Sequence, residues 1–265
     1  MESRYHMPEG NAMRPLRIHC QTLLYSFLCL SLLNGCGGSL LNLSEKTPEQ
    51  LLKDGMEYTR AENYADAKTS LNKVIEDYPD SPEKVTASLL IAEVHYKNEE
   101  FPEAKFMFKN FLELYPVHRL ADRAFFFMAM SDYKQMDIET RDQTFAQNAL
   151  EEFEKFLKEF PKSKYRPQAE TKRKQCMESL ARNQMEIGKF YFRTSAFISA
   201  ITRFQQLKST YPDQPFLDEV LFLLGESFYN EQNFEKAKLN YQELIRKFPR
   251  SEFVKEARTR LREIQ

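Results

Sequence analysis

The side chains able to do chemistry in this chain are four cysteines, four histidines and many carboxylates, and their spacing does not assemble a catalytic centre. Cys20, Cys29, Cys36 and Cys176 contain neither a CxxC pair nor a zinc-ligand spacing. If a leader is removed before Cys36, only Cys36 and Cys176 remain, too few for a disulfide framework. Cys176 reads as a structural helix cysteine. His95 and His118 stand in different segments, and His95 falls where a helix wants an apolar residue, so it is expected in the core rather than on a metal. There is no glycine-rich phosphate loop, no HExxH and no Ser/His/Asp set with a nucleophile turn. The expectation is a protein that is not an enzyme, with no catalytic residues, no metal and no cofactor.

One residue does have surroundings that prescribe a reaction. Arg14, Arg17 and His19 precede an apolar run from Cys20 to Leu33, which is too short to cross a bilayer, a task needing about 20 apolar residues. The run ends in Leu33-Asn34-Gly35-Cys36, followed by Gly37-Gly38-Ser39. This resembles the bacterial lipobox, in which a lipoprotein signal peptidase cuts before the cysteine. The Cys36 thiol then carries diacylglycerol, and its new amine an N-acyl chain. Each buried methylene contributes about 0.8 kcal/mol, so two or more chains anchor stably. Gly37 replaces the Asp that retains many such lipoproteins in the inner membrane, which points to the outer membrane. Residues 1–35 are read as the leader, with translation starting at Met13, and 36–47 as a linker.

The elements beyond Cys36 declare themselves through an aromatic-proline pair that recurs as Tyr78-Pro79, Tyr115-Pro116, Phe160-Pro161, Tyr211-Pro212 and Phe248-Pro249. Twelve residues before each proline stand Ala67, Ala104, Ala149, Ala200 and Ala237. Eight before stand Leu71, Phe108, Phe153, Phe204 and Tyr241, and five before stand Val74, Phe111, Phe156, Leu207 and Leu244. Fifteen before stand Tyr64, Phe101, Ala146, Phe197 and Phe234. Twenty-four before lie Gly55, Ala92, Gly188 and Gly225, while the third unit has its small residue at Ala129, eight further upstream. That offset locates an insertion near 137–144.

A small residue in a first helix and an alanine in a second let two antiparallel helices approach closely. Proline then ends the second helix, because it lacks an N–H and restricts the residue before it. This is the tetratricopeptide pattern. The fold expected is all-α: a right-handed α-solenoid of five tetratricopeptide-type helical hairpins plus a C-terminal capping helix. The units are 48–80, 81–117, 118–166 with the insertion, 167–213 with an extended first helix, and 214–250. Residues 251–265 form the capping helix, with Ser251 as its cap and Phe253, Val254, Ala257, Leu261 and Ile264 turned inward.

Composition agrees with helix: seven glycines, no tryptophan and 29% charged residues. Aromatics at 13% are too many for a disordered chain. A net charge of -1 gives no general attraction to nucleic acid.

In such arrays the inner face is built mostly from the first helices. Four residues beyond the small position stand Thr59, Tyr96, Tyr133, Phe192 and Tyr229; five beyond stand Arg60, Lys97, Lys134, Arg193 and Asn230. Arg123, Phe126 and Met130 add to this face in the third unit. Cations beside aromatics suit an extended peptide that has aromatic side chains and a carboxylate.

The leader, the lipobox, five repeats and the insertion in the third also resemble the BamD (ComL/YfiO) family of outer-membrane assembly lipoproteins. The stretch Arg141-Asp142 through Ala149, Phe153, Phe156, Phe160-Pro161 and Ser163-Lys164-Tyr165 is similar to that family's third repeat. Glu186 through Tyr191, then Ala200-Ile201-Thr202-Arg203-Phe204 and Tyr211-Pro212-Asp213, is similar to its fourth. The resemblance implies a lipid-anchored scaffold on the periplasmic face of the outer membrane, in the machinery that assembles β-barrel proteins. Its implied partners are a barrel-forming subunit with periplasmic domains, accessory lipoproteins and unfolded outer-membrane proteins, with no nucleic acid. On that reading Arg60, Tyr96, Lys97, Arg123, Phe126, Tyr133 and Lys134 face substrate, and Arg193 and Arg203 dock the partner subunit. The alternative is a repeat adaptor in envelope constriction and cell division or in secretin piloting; no heptad run between Cys36 and Pro48 supports the former.

Overall fold

The computed structural model describes residues 45–136 and 142–264. The leader, Cys36, most of the linker and the centre of the insertion lie outside the described residues. Among those described there are eleven α-helices and no strand. In chain order they are α1 (Pro48–Arg60), α2 (Tyr64–Asp77), α3 (Glu83–Lys97), α4 (Phe101–Leu114), α5 (Ala121–Lys134), α6 (Thr144–Glu159), α7 (Arg166–Arg193), α8 (Phe197–Thr210), α9 (Leu217–Asn230), α10 (Phe234–Lys247) and α11 (Val254–Glu263). Each helix packs on the next, and α1–α2 through α9–α10 form five hairpins of a helical solenoid closed by α11.

The helix boundaries follow from the sequence register. Thr47 and Gln50 form a reciprocal capping box ahead of Pro48, so α1 starts where a side-chain acceptor and a preset φ coincide. Four of the five second helices begin on the aromatic of the register: Tyr64, Phe101, Phe197 and Phe234. All five end two residues before their proline, and the intervening aromatic is forced out of helical geometry. Tyr78, Tyr115, Phe160, Tyr211 and Phe248 have φ values from -120° to -132° with ψ of 55° to 64°.

Between the two helices of a hairpin the chain reverses through one residue in the left-handed region. Glu62, Glu99, Ser195 and Gln232 have φ of 57° to 59°, each seven residues after its small position. At each turn the next residue's N–H donates five residues back, as in Asn63 N to Tyr58 O at 2.9 Å and Asn233 N to Phe228 O at 2.9 Å. These bonds satisfy carbonyls that the helix end leaves open.

The register positions are the core. Ala67, Ala104, Ala149, Ala200 and Ala237 are fully buried, and so are the side chains four and seven residues further along each second helix. Glycine at the small position is a packing requirement: a Cβ on Gly55 would lie 2.7 Å from Leu71, and one on Gly225 would lie 2.5 Å from Tyr241. The apolar interior forms three clusters, centred on the first unit, on the second and third with the start of α7, and on the fourth and fifth. The second and third clusters meet inside α7, between Leu180 and Met185.

One expectation is corrected in detail, and one is met. Ser251 is not the N-cap of α11; Phe253 is, and the Ser251 hydroxyl accepts the Phe253 N–H at 3.3 Å. The extended first helix of the fourth unit is one continuous helix of 28 residues.

Candidate peptide-binding face

The exposed part of the first helices is built from their cations. Arg60, Lys97, Lys134 and Arg193 all lie at or next to the last residue of α1, α3, α5 and α7 and are exposed. Placing a cation in the last turn also complements the partial negative charge of the helix C-terminus. Arg60 lines an open cavity of about 350 Å³ with Leu52, Lys53, Met56 and Glu83.

The aromatics of the same register do something different. Tyr96 packs edge-on against Phe101 at 5.5 Å between ring centres, Phe192 against Phe197 at 5.6 Å, and Tyr229 against Phe234 at 5.6 Å. In three units, therefore, the aromatic near the end of the first helix staples to the first residue of the second across the left-handed turn. Tyr96 also meets Phe127 edge-on at 5.1 Å. Tyr133 packs on Phe153, donates its hydroxyl hydrogen to Gln175 Oε1 at 2.9 Å, and lies beneath the Lys172 ammonium. Phe126 is core: it is 4% exposed and stacks on Tyr165 at 4.8 Å with 13° between planes. It cannot face a ligand, because the helix that carries it turns Phe126 toward α6 and the start of α7. Met130 is buried as well.

Arg123 is committed to a partner inside the chain. Its Nη2 donates to Glu93 Oε2 at 2.6 Å, joining α5 to α3. Burial raises the Glu93 pKa, and the guanidinium offsets this only in part. Arg203 is half-buried, with Nη1 3.5 Å from Gln184 Oε1 of its own hairpin. Arg193 alone of the two proposed docking cations is exposed.

The two histidines have structural partners. His95 Nδ1 lies 2.5 Å from Glu100 Oε2, and Lys68 of the preceding unit reaches the same carboxylate at 2.8 Å. His118 Nδ1 accepts the Leu120 N–H at 3.3 Å. Cys176 is buried with its Sγ 3.7 Å from Met136 Sδ, and burial pushes its pKa up to about 12. Among the described residues no group of three or more His, Cys, Asp or Glu is placed to hold a metal ion.

Sequence reasoning missed the charges that lock the units together. Glu93 and Glu226 stand one residue past the small position, and each takes a guanidinium from the next first helix or from the capping helix: Arg123 and Arg260. Lys105 to Asp132 and Lys208 to Glu243 bridge successive units in the same way. The available signal was a carboxylate recurring at one register position beside a fully buried one.

The outer membrane protein assembly factor BamD of Vibrio cholerae is 28% identical over 200 residues, 72% of this chain and 83% of that protein. That of Caulobacter vibrioides is 26% identical over 219 residues, 81% and 72% of the two chains. That of Xylella fastidiosa is 26% identical over 176 residues, 63% of this chain and 60% of the relative's own length. Among solved structures, a TPR2AB-domain:pHSP90 complex of yeast Sti1 aligns with 82% of this chain and 83% of its own at a TM-score of 0.46 and 16% identity. A family model described as an outer membrane lipoprotein, YfiO, matches residues 44–238. With that match spanning the first four hairpins and the first helix of the fifth, the chain belongs to the YfiO outer membrane lipoprotein family.

Proposed function

We propose that this protein is a lipid-anchored scaffold of the machinery that assembles β-barrel proteins in the outer membrane. It holds the periplasmic domains of a barrel-forming subunit and receives unfolded barrel proteins. Family membership carries the reading, together with relatives named as outer membrane protein assembly factors. The solenoid supports it by offering surface in place of a reaction centre. No helix among the described residues is long and apolar enough to cross a membrane; the lipobox-like Leu33-Asn34-Gly35-Cys36 supports anchoring through acyl chains on Cys36.

The substrate face is the row of exposed cations at the ends of successive first helices, Arg60, Lys97 and Lys134. They suit the carboxylate of an extended chain segment, to which charge-assisted hydrogen bonds are the strong ones. Tyr96 and Tyr133 stand half-buried beside them.

Affinity purification of the tagged protein from detergent-solubilised envelopes tests the function. Recovery of a large outer-membrane barrel with periplasmic domains is the expected result. Recovery of only division proteins or secretins would overturn it in favour of the adaptor reading.

A further inference from the structure

Helix α7 contains two successive first-helix registers. Thirteen residues after Pro79, Pro116 and Pro212 come the small residues Ala92, Ala129 and Gly225. Thirteen after Pro161 comes Lys174, yet the small residue that packs against α8 is Gly188, fourteen further on, with its Cβ position against the Phe204 ring. Fourteen residues are close to four turns and about 21 Å of rise, so both registers run along one stripe of the helix.

The part of that stripe facing the preceding unit begins with Ala169, Cys176 and Leu180, all buried under α6. It continues as Ile187, Phe190 and Tyr191, and there α6 has ended. Arg166 Nη1 donates to Leu157 O at 3.3 Å, and the Ser179 hydroxyl donates to Gln143 Oε1 at 3.4 Å. The two helices are therefore antiparallel, the first turn of α6 lies level with Ser179, and the remainder of α7 runs past it.

What belongs on the length that the described residues leave uncovered is legible from the other units. The residues equivalent to Phe190 are Val94, Ser131 and Ser227, each 0% exposed where the preceding second helix stacks. In the first unit, before which no helix stands among the described residues, the position is the exposed Glu57. Phe190 is 55% exposed. The opposite face vacated by the same offset, on the first half of α7, carries exposed Glu170, Thr171 and Lys174. One vacated face is thus polar and suited to water, and the other is apolar.

We propose that Phe190, with Ile187 and Tyr191, is the docking surface for an amphipathic helix of a partner protein. That helix lies antiparallel to the second half of α7, in the place a second helix takes in every other internal unit. It continues the α6–α7 interface along the same stripe. Its apolar residues recur at i, i+3 or i+4 and i+7, and it carries a carboxylate for Arg193, which is exposed at the edge of the surface. This deepens the partner-docking role proposed above and rests on it.

The test places a photoreactive p-benzoylphenylalanine at position 190 of the full lipidated chain, and at position 174 as the control on the polar face. After irradiation of intact envelopes, mass spectrometry identifies the crosslinked peptide. The expected product, at position 190 alone, is a peptide of another protein with that apolar spacing and an acidic residue. Its synthetic version should bind the purified chain, with affinity at least tenfold weaker for Phe190→Glu and for Phe190→Ala at unchanged helical circular dichroism. Crosslinks to a second copy, to residues 1–44 of the same chain, or at no more than the level of position 174 would overturn the proposal, as would unchanged affinity in both variants. If the barrel subunit still co-purifies with Phe190→Glu and no crosslink forms, this inference fails alone. If no assembly partner is recovered even with the unaltered chain, the proposed function fails too.

Discussion

Glu226 of α9 holds Arg260 of α11 through both carboxylate oxygens, Nε to Oε1 at 2.9 Å and Nη2 to Oε2 at 3.1 Å. The Tyr241 hydroxyl donates to the same Oε1 at 2.6 Å, and burial raises the pKa of that phenol. A single carboxylate thus joins the fifth hairpin to the helix that closes the solenoid. Removing it leaves the buried Tyr241 phenol without its acceptor and the part-exposed Arg260 with Glu263 alone, which costs about 1–3 kcal/mol. Glu226→Ala is expected to lower the urea midpoint accordingly. Amide protection should fall first in 254–263, which hydrogen exchange would show.

The close approach of the hairpins predicts an inverted glycine effect. In an ordinary helix interior Gly→Ala stabilises by about 1 kcal/mol. At Gly188 and Gly225 the added methyl meets the buried rings of Phe204 and Tyr241, and overpacking costs about 1–3 kcal/mol. Both alanine variants should therefore melt below the unaltered chain; a higher melting temperature would mean the rings move aside.

Position on the first helices separates binding from folding. Phe126→Ala removes a buried aromatic and should destabilise by about 3–5 kcal/mol. Arg60→Ala, Lys97→Ala and Lys134→Ala are exposed and should change stability by no more than about 0.5 kcal/mol. They should weaken a peptide ending in an aromatic residue and a free carboxylate, more at low salt than at high. Fluorescence anisotropy against that peptide and its C-terminal amide gives the readout.

Acid should loosen the junction of the first two units. The Lys68 ammonium, together with His95 and Asn98, holds Glu100 below its ordinary value of 4.5. A depressed carboxylate contributes stability above its unfolded pKa and loses it as pH falls through the folded value. The difference in urea midpoint between the unaltered chain and Glu100→Gln should therefore shrink as pH falls below 4.5. A difference that stays constant would remove Glu100 from the acid response.

Cys36→Ala should leave the helical spectrum and melting curve unchanged while moving the protein from the membrane fraction to the soluble one. Retention of the variant in membranes would rule out the lipid anchor.

Much of the fold is determined by the sequence alone, because each hairpin restates one local rule five times. Proline stops a helix, a small residue admits its neighbour, and an alanine with two large apolar residues fills the gap. Such contacts lie between segments close in sequence, so spacing exposes them. The face of the first helices was only half legible. The register placed Tyr96, Phe126 and Tyr133 correctly on their helices. Which side chain stays in solvent, however, depends on what the next unit brings against it, and the rings went to Phe101, Tyr165 and Phe153. The same holds for Arg123, whose partner Glu93 is thirty residues away. Tertiary structure alone decided the uncovered stripe of α7. The fourteen-residue offset between its two registers is written in the sequence. That α6 stops level with Ser179, leaving Phe190 without the helix that covers Val94 and Ser227, follows from how two long helices align in space.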